Sequence, residues 1–98
     1  MARGPRRTET RIVHAGRDPK VDNGGVNPPV QRASTVLLDK AEDMFRPGVW
    51  TYGIHGTATH RALKAALCEL EQAEHCHLVS SGLLACTVPI MALASPGK

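Results

Sequence analysis

Large rings are scarce in this sequence: Phe45, Trp50 and Tyr52 are its three aromatics, and they lie within eight positions of one another. Aromatic side chains usually dominate core energetics, so a core here has to be built from Leu, Val and Ala. Bulky aliphatics are thin as well. Leu, Ile, Val and Phe make up 21 of the 98 residues, close to the level of about 20% below which chains stay disordered on their own. The length allows one small domain. Such a composition belongs to part of something larger, or to a chain that folds with a partner. Cysteine is also sparse. Cys68, Cys76 and Cys86 are odd in number and lack the spacing of a disulfide scaffold. They point to a reducing cytoplasm. The basic start runs into Thr8-Glu9-Thr10 instead of an apolar stretch, so no secretory leader is expected.

Charge is unevenly spread. The net formal charge is +3, yet residues 1–20 hold six Arg or Lys against two acids, and the remaining 78 hold six against seven. A basic patch can steer a chain toward nucleic acid or an acidic membrane. No aromatics interleave with Arg3, Arg6, Arg7 and Arg11, so bases have no stacking platform there. The expectation is a solvated N-terminal tail without nucleic-acid binding. Residues 78–97 carry no charge and are long enough to cross a bilayer. Ser80-Ser81-Gly82, Thr87, Pro89 and Ser95-Pro96-Gly97 interrupt them, and the continuous apolar part from Val88 to Ala94 is too short to span. A buried strand–helix pair is the better reading than a membrane anchor.

No repeat or low-complexity tract is present. Residues 1 to about 25 hold few apolar anchors and carry turn signals at Asp18-Pro19 and Asn23-Gly24-Gly25, which reads as an extended arm. Asn27-Pro28-Pro29-Val30 cannot be helical. Residues 31–38 read as extended or a short strand. Residues 39–45 read as a turn or two of helix, with Asp39 as N-cap and Arg46-Pro47-Gly48 as the stop. Thr59 is the expected N-cap of a helix from about His60 to Ala73, whose Leu63, Ala66, Leu67 and Leu70 form one apolar stripe. His75 to Val79 reads as a short strand, and Leu83 to about Ala94 as a second helix stopped by Ser95-Pro96-Gly97. Helix, strand, turn and helix in this order open a layered α/β domain. The expected organisation is an arm and interface segment over 1–50 and the start of an incomplete α/β domain over 51–98.

The Ser80-Ser81-Gly82 turn carries the chemistry. Backbone N–H groups at a helix N-terminus have no intrahelical partners, and the helix dipole adds positive potential there. Gly82 has no Cβ to keep a ligand away from the backbone. The combination makes a phosphate cradle. Taken by itself, the triplet is equally a serine N-cap beside a glycine.

Segment order adds to this. Val26-Asn27-Pro28-Pro29-Val30-Gln31-Arg32-Ala33-Ser34-Thr35-Val36 precedes Tyr52-Gly53-Ile54-His55-Gly56-Thr57-Ala58-Thr59. Ala66-Leu67-Cys68-Glu69-Leu70-Glu71 and Ser80-Ser81-Gly82-Leu83 follow, and Thr8-Glu9-Thr10 through His14-Ala15-Gly16-Arg17 opens the series. From about Thr8 to Gly97 the chain resembles the N-terminal part of the Cys/Met-metabolism family of pyridoxal-phosphate enzymes. Within the family, the β-eliminating carbon–sulfur lyases fit best.

The resemblance implies an aspartate aminotransferase-type large domain, incomplete here, and a cytoplasmic dimer or tetramer whose cofactor sites are shared between subunits. It implies a sulfur amino-acid substrate, with cystathionine split into homocysteine, pyruvate and ammonia. A γ-synthase, γ-lyase or sulfhydrylase of the same family is the near alternative. A truncated, non-catalytic interaction arm is the other. Tyr52 matches the family's Tyr-x-Arg segment, which reaches a neighbour's cofactor phosphate and supplies a phenol beside the substrate. Ile54 stands where the family has arginine, and an aliphatic side chain makes no bidentate phosphate contact. His55 is a partial substitute, since histidine carries charge at mildly acidic pH. Ser81, Gly82 and Leu83 match the phosphate loop. The lysine that binds the cofactor aldehyde has no counterpart: Lys20, Lys40, Lys64 and Lys98 all fall outside its position. The isolated chain is therefore expected to be inactive.

Other constellations say less. His75 and His77 would face one side of a strand, but two ligands do not close a zinc site, so no metal is expected. Cys86 reads as a small core residue. Pro89, several residues inside the second helix, removes the bond to Ala85.

Overall fold

The computed structural model describes residues 6–97; Arg3 and Lys98, named above, lie outside them. Three α-helices carry the architecture: α1 over Thr8–His14, α2 over Ala58–Glu71 and α3 over Gly82–Leu93. Two 3₁₀ turns, Ala41–Phe45 and Gly53–His55, come between α1 and α2.

The N-terminal arm is not extended throughout. Residues 8–14 form α1, with Glu9 in the first turn and Arg11 and His14 in the last, the arrangement that the helix dipole favours. Among the described residues, α1 and α2 are the one pair of helices in contact. The Arg11 guanidinium reaches across to Glu69 Oε1 as a charge pair without hydrogen-bond alignment. Gly16, with φ +72°, brings the chain back against the Ala62 carbonyl, where a Cβ would collide. Only glycine allows that approach.

The middle of the chain is held by hydrogen bonds, not by apolar burial. Residues 29–35 run beside 52–59 as a strap. Thr35 and Tyr52 form an isolated antiparallel bridge, and the Gly53 N–H donates to the Ser34 carbonyl at 2.7 Å. A Cβ at Gly53 would run into Ala33 and Ser34. The strand read over 31–38 shrinks to this one bridge. The helix expected at 39–45 is a 3₁₀ turn beginning at Ala41. Lys40, not Asp39, precedes it, and no side chain caps it. An Arg46–Asp43 ion pair at 3.2 Å closes its end.

α2 starts two residues before the predicted position. Thr57, not Thr59, is the N-cap, and it forms a capping box with His60. Thr59 instead donates its hydroxyl to the Pro29 carbonyl at 3.0 Å and accepts the Gln31 N–H at 2.7 Å. The helix ends at Glu71, before the predicted Ala73, because Gln72 turns left-handed at φ 53°. Of its stripe, Leu63 and Leu70 are half exposed. α1 meets the neighbouring face through Arg11 at Glu69, and Gly16 just beyond it lies against Ala62.

The helix–strand–helix reading is realised only in its helices. No strand forms over 75–79 among the described residues; the segment takes no regular structure and makes no ladder pairing. A strand is defined by a neighbour's hydrogen bonds, and none lies alongside. α3 follows as predicted, within a residue at each end, with Pro89 inside it. No helix of the described residues is long and apolar enough to cross a membrane.

No apolar side chain among the described residues is buried; Thr57, at 5% exposure, is the one buried residue. The radius of gyration is 17.2 Å, against roughly 13 Å for a compact chain of about 100 residues.

Candidate cofactor site

The α3 N-terminus is built from Ser81. Its extended backbone (φ −154°) sets it outside the helix, and its Oγ accepts the Leu84 N–H at 3.1 Å. That bond occupies one of the orphan donors of the first turn. The Gly82 and Leu83 N–H groups, also in that turn, have no carbonyl one turn back to receive them. A Cβ at Gly82 would meet nothing within 4 Å, so the approach to these amides is open. Leu83 is 80% exposed, and its carbonyl accepts the Thr87 hydroxyl at 2.8 Å, closing the turn behind it. Two free amides, a serine hydroxyl able to donate, and the positive end of a 12-residue helix make a donor set suited to a phosphate group. The residues present fit the phosphate end of such a cofactor.

Tyr52 and Ile54 belong to the Gly53–His55 turn and its N-cap. Tyr52 precedes the Gly53–His55 turn and stands half exposed, its ring edge-on to His55 with centroids 6.3 Å apart. Thr51 Oγ1 contacts His55 Nδ1 at 3.3 Å, which leaves the far ring nitrogen of His55 unengaged by this pair. Ile54, 79% exposed, shares with His55, Lys64 and residues 78–80 an open cleft of about 310 Å³. The chain thus brings Ile54 to Ser80, next to the phosphate turn. Tyr52, Ser81, Gly82 and Leu83 do not line that cleft. Lys64 is half buried and makes no ion pair among the described residues.

The polar residues around the start of α2 were not among the candidates from sequence. Gln31 Oε1 accepts the Ala58 N–H at 3.0 Å. His60 Nδ1 accepts the Thr57 N–H at 3.1 Å and lies 2.9 Å from Thr57 Oγ1. The Arg61 guanidinium stacks over Trp50 at 4.6 Å from the ring centroid. Thr57-x-x-His60 has capping-box spacing with histidine in place of Glu or Gln, and that pattern was the available signal. Among the described residues, no group of His, Cys, Asp and Glu is arranged to hold a metal.

A family model described as Cys/Met metabolism PLP-dependent enzyme matches residues 9–98. The cystathionine beta-lyase of Haemophilus influenzae is 37% identical over 94 residues, covering 90% of this chain and 24% of the relative. That of Escherichia coli is 36% identical over 98 residues, covering 94% and 25%. A cystathionine gamma-synthase of Mycobacterium tuberculosis is 33% identical over 88 residues, covering 90% and 22%. The chain spans about a quarter of the length of the curated relatives it matches. With the match running through the arm, the Tyr52 turn and the α3 N-terminus alike, this chain belongs to the Cys/Met-metabolism family of pyridoxal-phosphate-dependent enzymes.

Proposed function

We propose that this chain is the N-terminal portion of a carbon–sulfur lyase that hydrolytically splits L-cystathionine into homocysteine, pyruvate and ammonia by β-elimination. The observation that carries the reading is the open amide turn at Ser81-Gly82-Leu83, in a chain whose relatives include cystathionine beta-lyases. The Gly82 and Leu83 N–H groups and the Ser81 hydroxyl hold the cofactor phosphate. When bound, pyridoxal phosphate supplies an electron sink for the pair released from the substrate Cα–H bond.

Tyr52 serves a neighbouring copy. Its exposed phenol, carried on the turn outside the Ile54–Ser80 cleft, supports a site shared between subunits of a dimer or tetramer. There Tyr52 Oη holds a proton beside the phosphate and the departing sulfur. Ile54 adds apolar surface but no charge, so anchoring of the phosphate falls mainly on the α3 turn. A cytoplasmic location suits the three free cysteines.

The protein as its source makes it, supplied with pyridoxal phosphate and L-cystathionine, is expected to release pyruvate and homocysteine in equal amounts. Release of 2-oxobutyrate and cysteine would assign γ-elimination instead. Absence of both products, with cofactor bound, would remove the lyase reading. A second reading, a non-catalytic chain that only assembles with a partner, draws on the lack of buried apolar side chains among the described residues. Borohydride reduction separates the two, since a pyridoxyl group fixed on one lysine marks an enzyme.

A further inference from the structure

Gln31 directs its N–H, its carbonyl and its side-chain oxygen at three consecutive residues where α2 begins. The N–H donates to Thr59 Oγ1 at 2.7 Å, and the carbonyl accepts the Thr57 hydroxyl at 3.4 Å. Gln31 Oε1 accepts the Ala58 N–H at 3.0 Å. Ala58 is the first residue of α2, so that N–H has no partner inside the helix, and Gln31 supplies one from outside. Thr59 adds a further bond by donating to the Pro29 carbonyl at 3.0 Å. The same strap also holds the turn that carries Tyr52. The Ser34 carbonyl accepts the Gly53 N–H at 2.7 Å, and Thr35 pairs with Tyr52. The two backbones approach so closely that a Cβ at Gly53 would strike Ala33 and Ser34.

Residues 31–35 and 52–59 thus close a ring of backbone, with Tyr52 at one bonded end and the start of α2 at the other. Between them Gly56 takes φ 105°, a region that glycine enters freely. Local preference therefore does not fix how the turn sits on α2. Apolar packing does not fix it either, since no apolar side chain among the described residues is buried. The strap is what remains. Given the role proposed for Tyr52 beside a neighbouring copy's cofactor, on which this step rests, we infer that Gln31 is a positioning residue, pinning the backbone that carries the phenol. Loss of the Oε1 acceptor leaves the Ala58 N–H to water and frees the strap at its anchored end. That freedom passes along three residues to Ser34, and from its carbonyl to Gly53 and Tyr52.

Hydrogen exchange resolved to single amides tests the pin on the protein in its native assembly. Gln31→Met keeps the length of the side chain and removes the acceptor, while Gln31→Glu keeps an acceptor for the Ala58 N–H. In Gln31→Met the Ala58 and Gly53 amides are both expected to exchange about fivefold faster, the equivalent of one typical hydrogen bond. Gln31→Glu should restore both. Faster exchange at Ala58 with Gly53 unchanged would make Gln31 a helix cap alone and overturn the pin, whatever reaction the enzyme runs. With pyridoxal phosphate and L-cystathionine supplied, Gln31→Met should lower kcat/KM for pyruvate release about fivefold, and by nothing further in a Tyr52→Phe background. The same additional loss in that background would overturn a role through Tyr52. An inactive wild type would remove the lyase reading and leave the exchange result to decide the pin. If Gln31→Met does not fold, the wild type decides: Ala58 and Gly53 should open with one common free energy, and independent opening would overturn the pin.

Discussion

Three single residues put the proposed phosphate site to the test. Gly82 leaves the α3 amides open, and a methyl group there has room in the chain itself. Gly82→Ala is therefore expected to leave the helix intact while weakening pyridoxal phosphate binding by about tenfold, because the Cβ takes the space of a phosphate oxygen at close approach. Equilibrium dialysis beside far-UV circular dichroism measures both effects. Ile54 permits a gain instead. Ile54→Arg would add a charge-assisted pair to an anion, worth about 1.5–3 kcal/mol, and should tighten the cofactor by at least about tenfold in the same dialysis. Ser81→Ala removes the acceptor for the Leu84 N–H and should cost about 1 kcal/mol of α3 stability. Gly82 and Ile54 were legible in the sequence because each is a matter of side-chain chemistry at a motif position. Gln31 and His60 were not, since what they bond depends on where residues 29–31 pass α2.

At the scale of elements, sequence periodicity located helices and missed what covers them. The apolar stripe of Leu63, Ala66, Leu67 and Leu70 is present on α2, yet the N-terminal arm meets the helix beside it, with Arg11 at Glu69 and Gly16 at Ala62. A stripe marks what a helix can bury and leaves open which partner arrives. α1 was read as extended, because seven residues with Ile12 and Val13 as their apolar members give little periodic signal. Its docking on α2 and the Arg11–Glu69 pair supply what local preference lacks. In α3, Pro89 interrupts an otherwise regular helix. Pro89→Ala restores the N–H that can reach the Ala85 carbonyl and should stabilise the helix by up to about 3 kcal/mol. A raised thermal midpoint, read by circular dichroism, is the expected result. An unchanged midpoint would mean that the surroundings already accommodate the proline.

The whole molecule is an open frame, 56 × 41 × 23 Å along its principal axes, in which a polar strap replaces a hydrophobic core. α3 is apolar around its circumference, and Leu83, Ile90, Met91 and Leu93 are all largely exposed. A helix of that kind belongs inside a larger body. As an isolated 98-residue polypeptide, the chain should unfold in urea without a cooperative transition, and scattering should give a radius of gyration well above the roughly 13 Å of a compact chain this size. A sharp, concentration-independent transition would count against this. The sequence by itself determined the helices α2 and α3, the serine–glycine turn between them and the family, because capping residues, apolar spacing and motif order are local or ordered along the chain. Only the tertiary structure decided that 75–79 stays unpaired, that α1 exists, and that His60 closes α2 over a buried Thr57. Each of those depends on a partner brought from elsewhere in the chain, or on its absence, and a strand or a buried hydrogen bond has no existence without that partner.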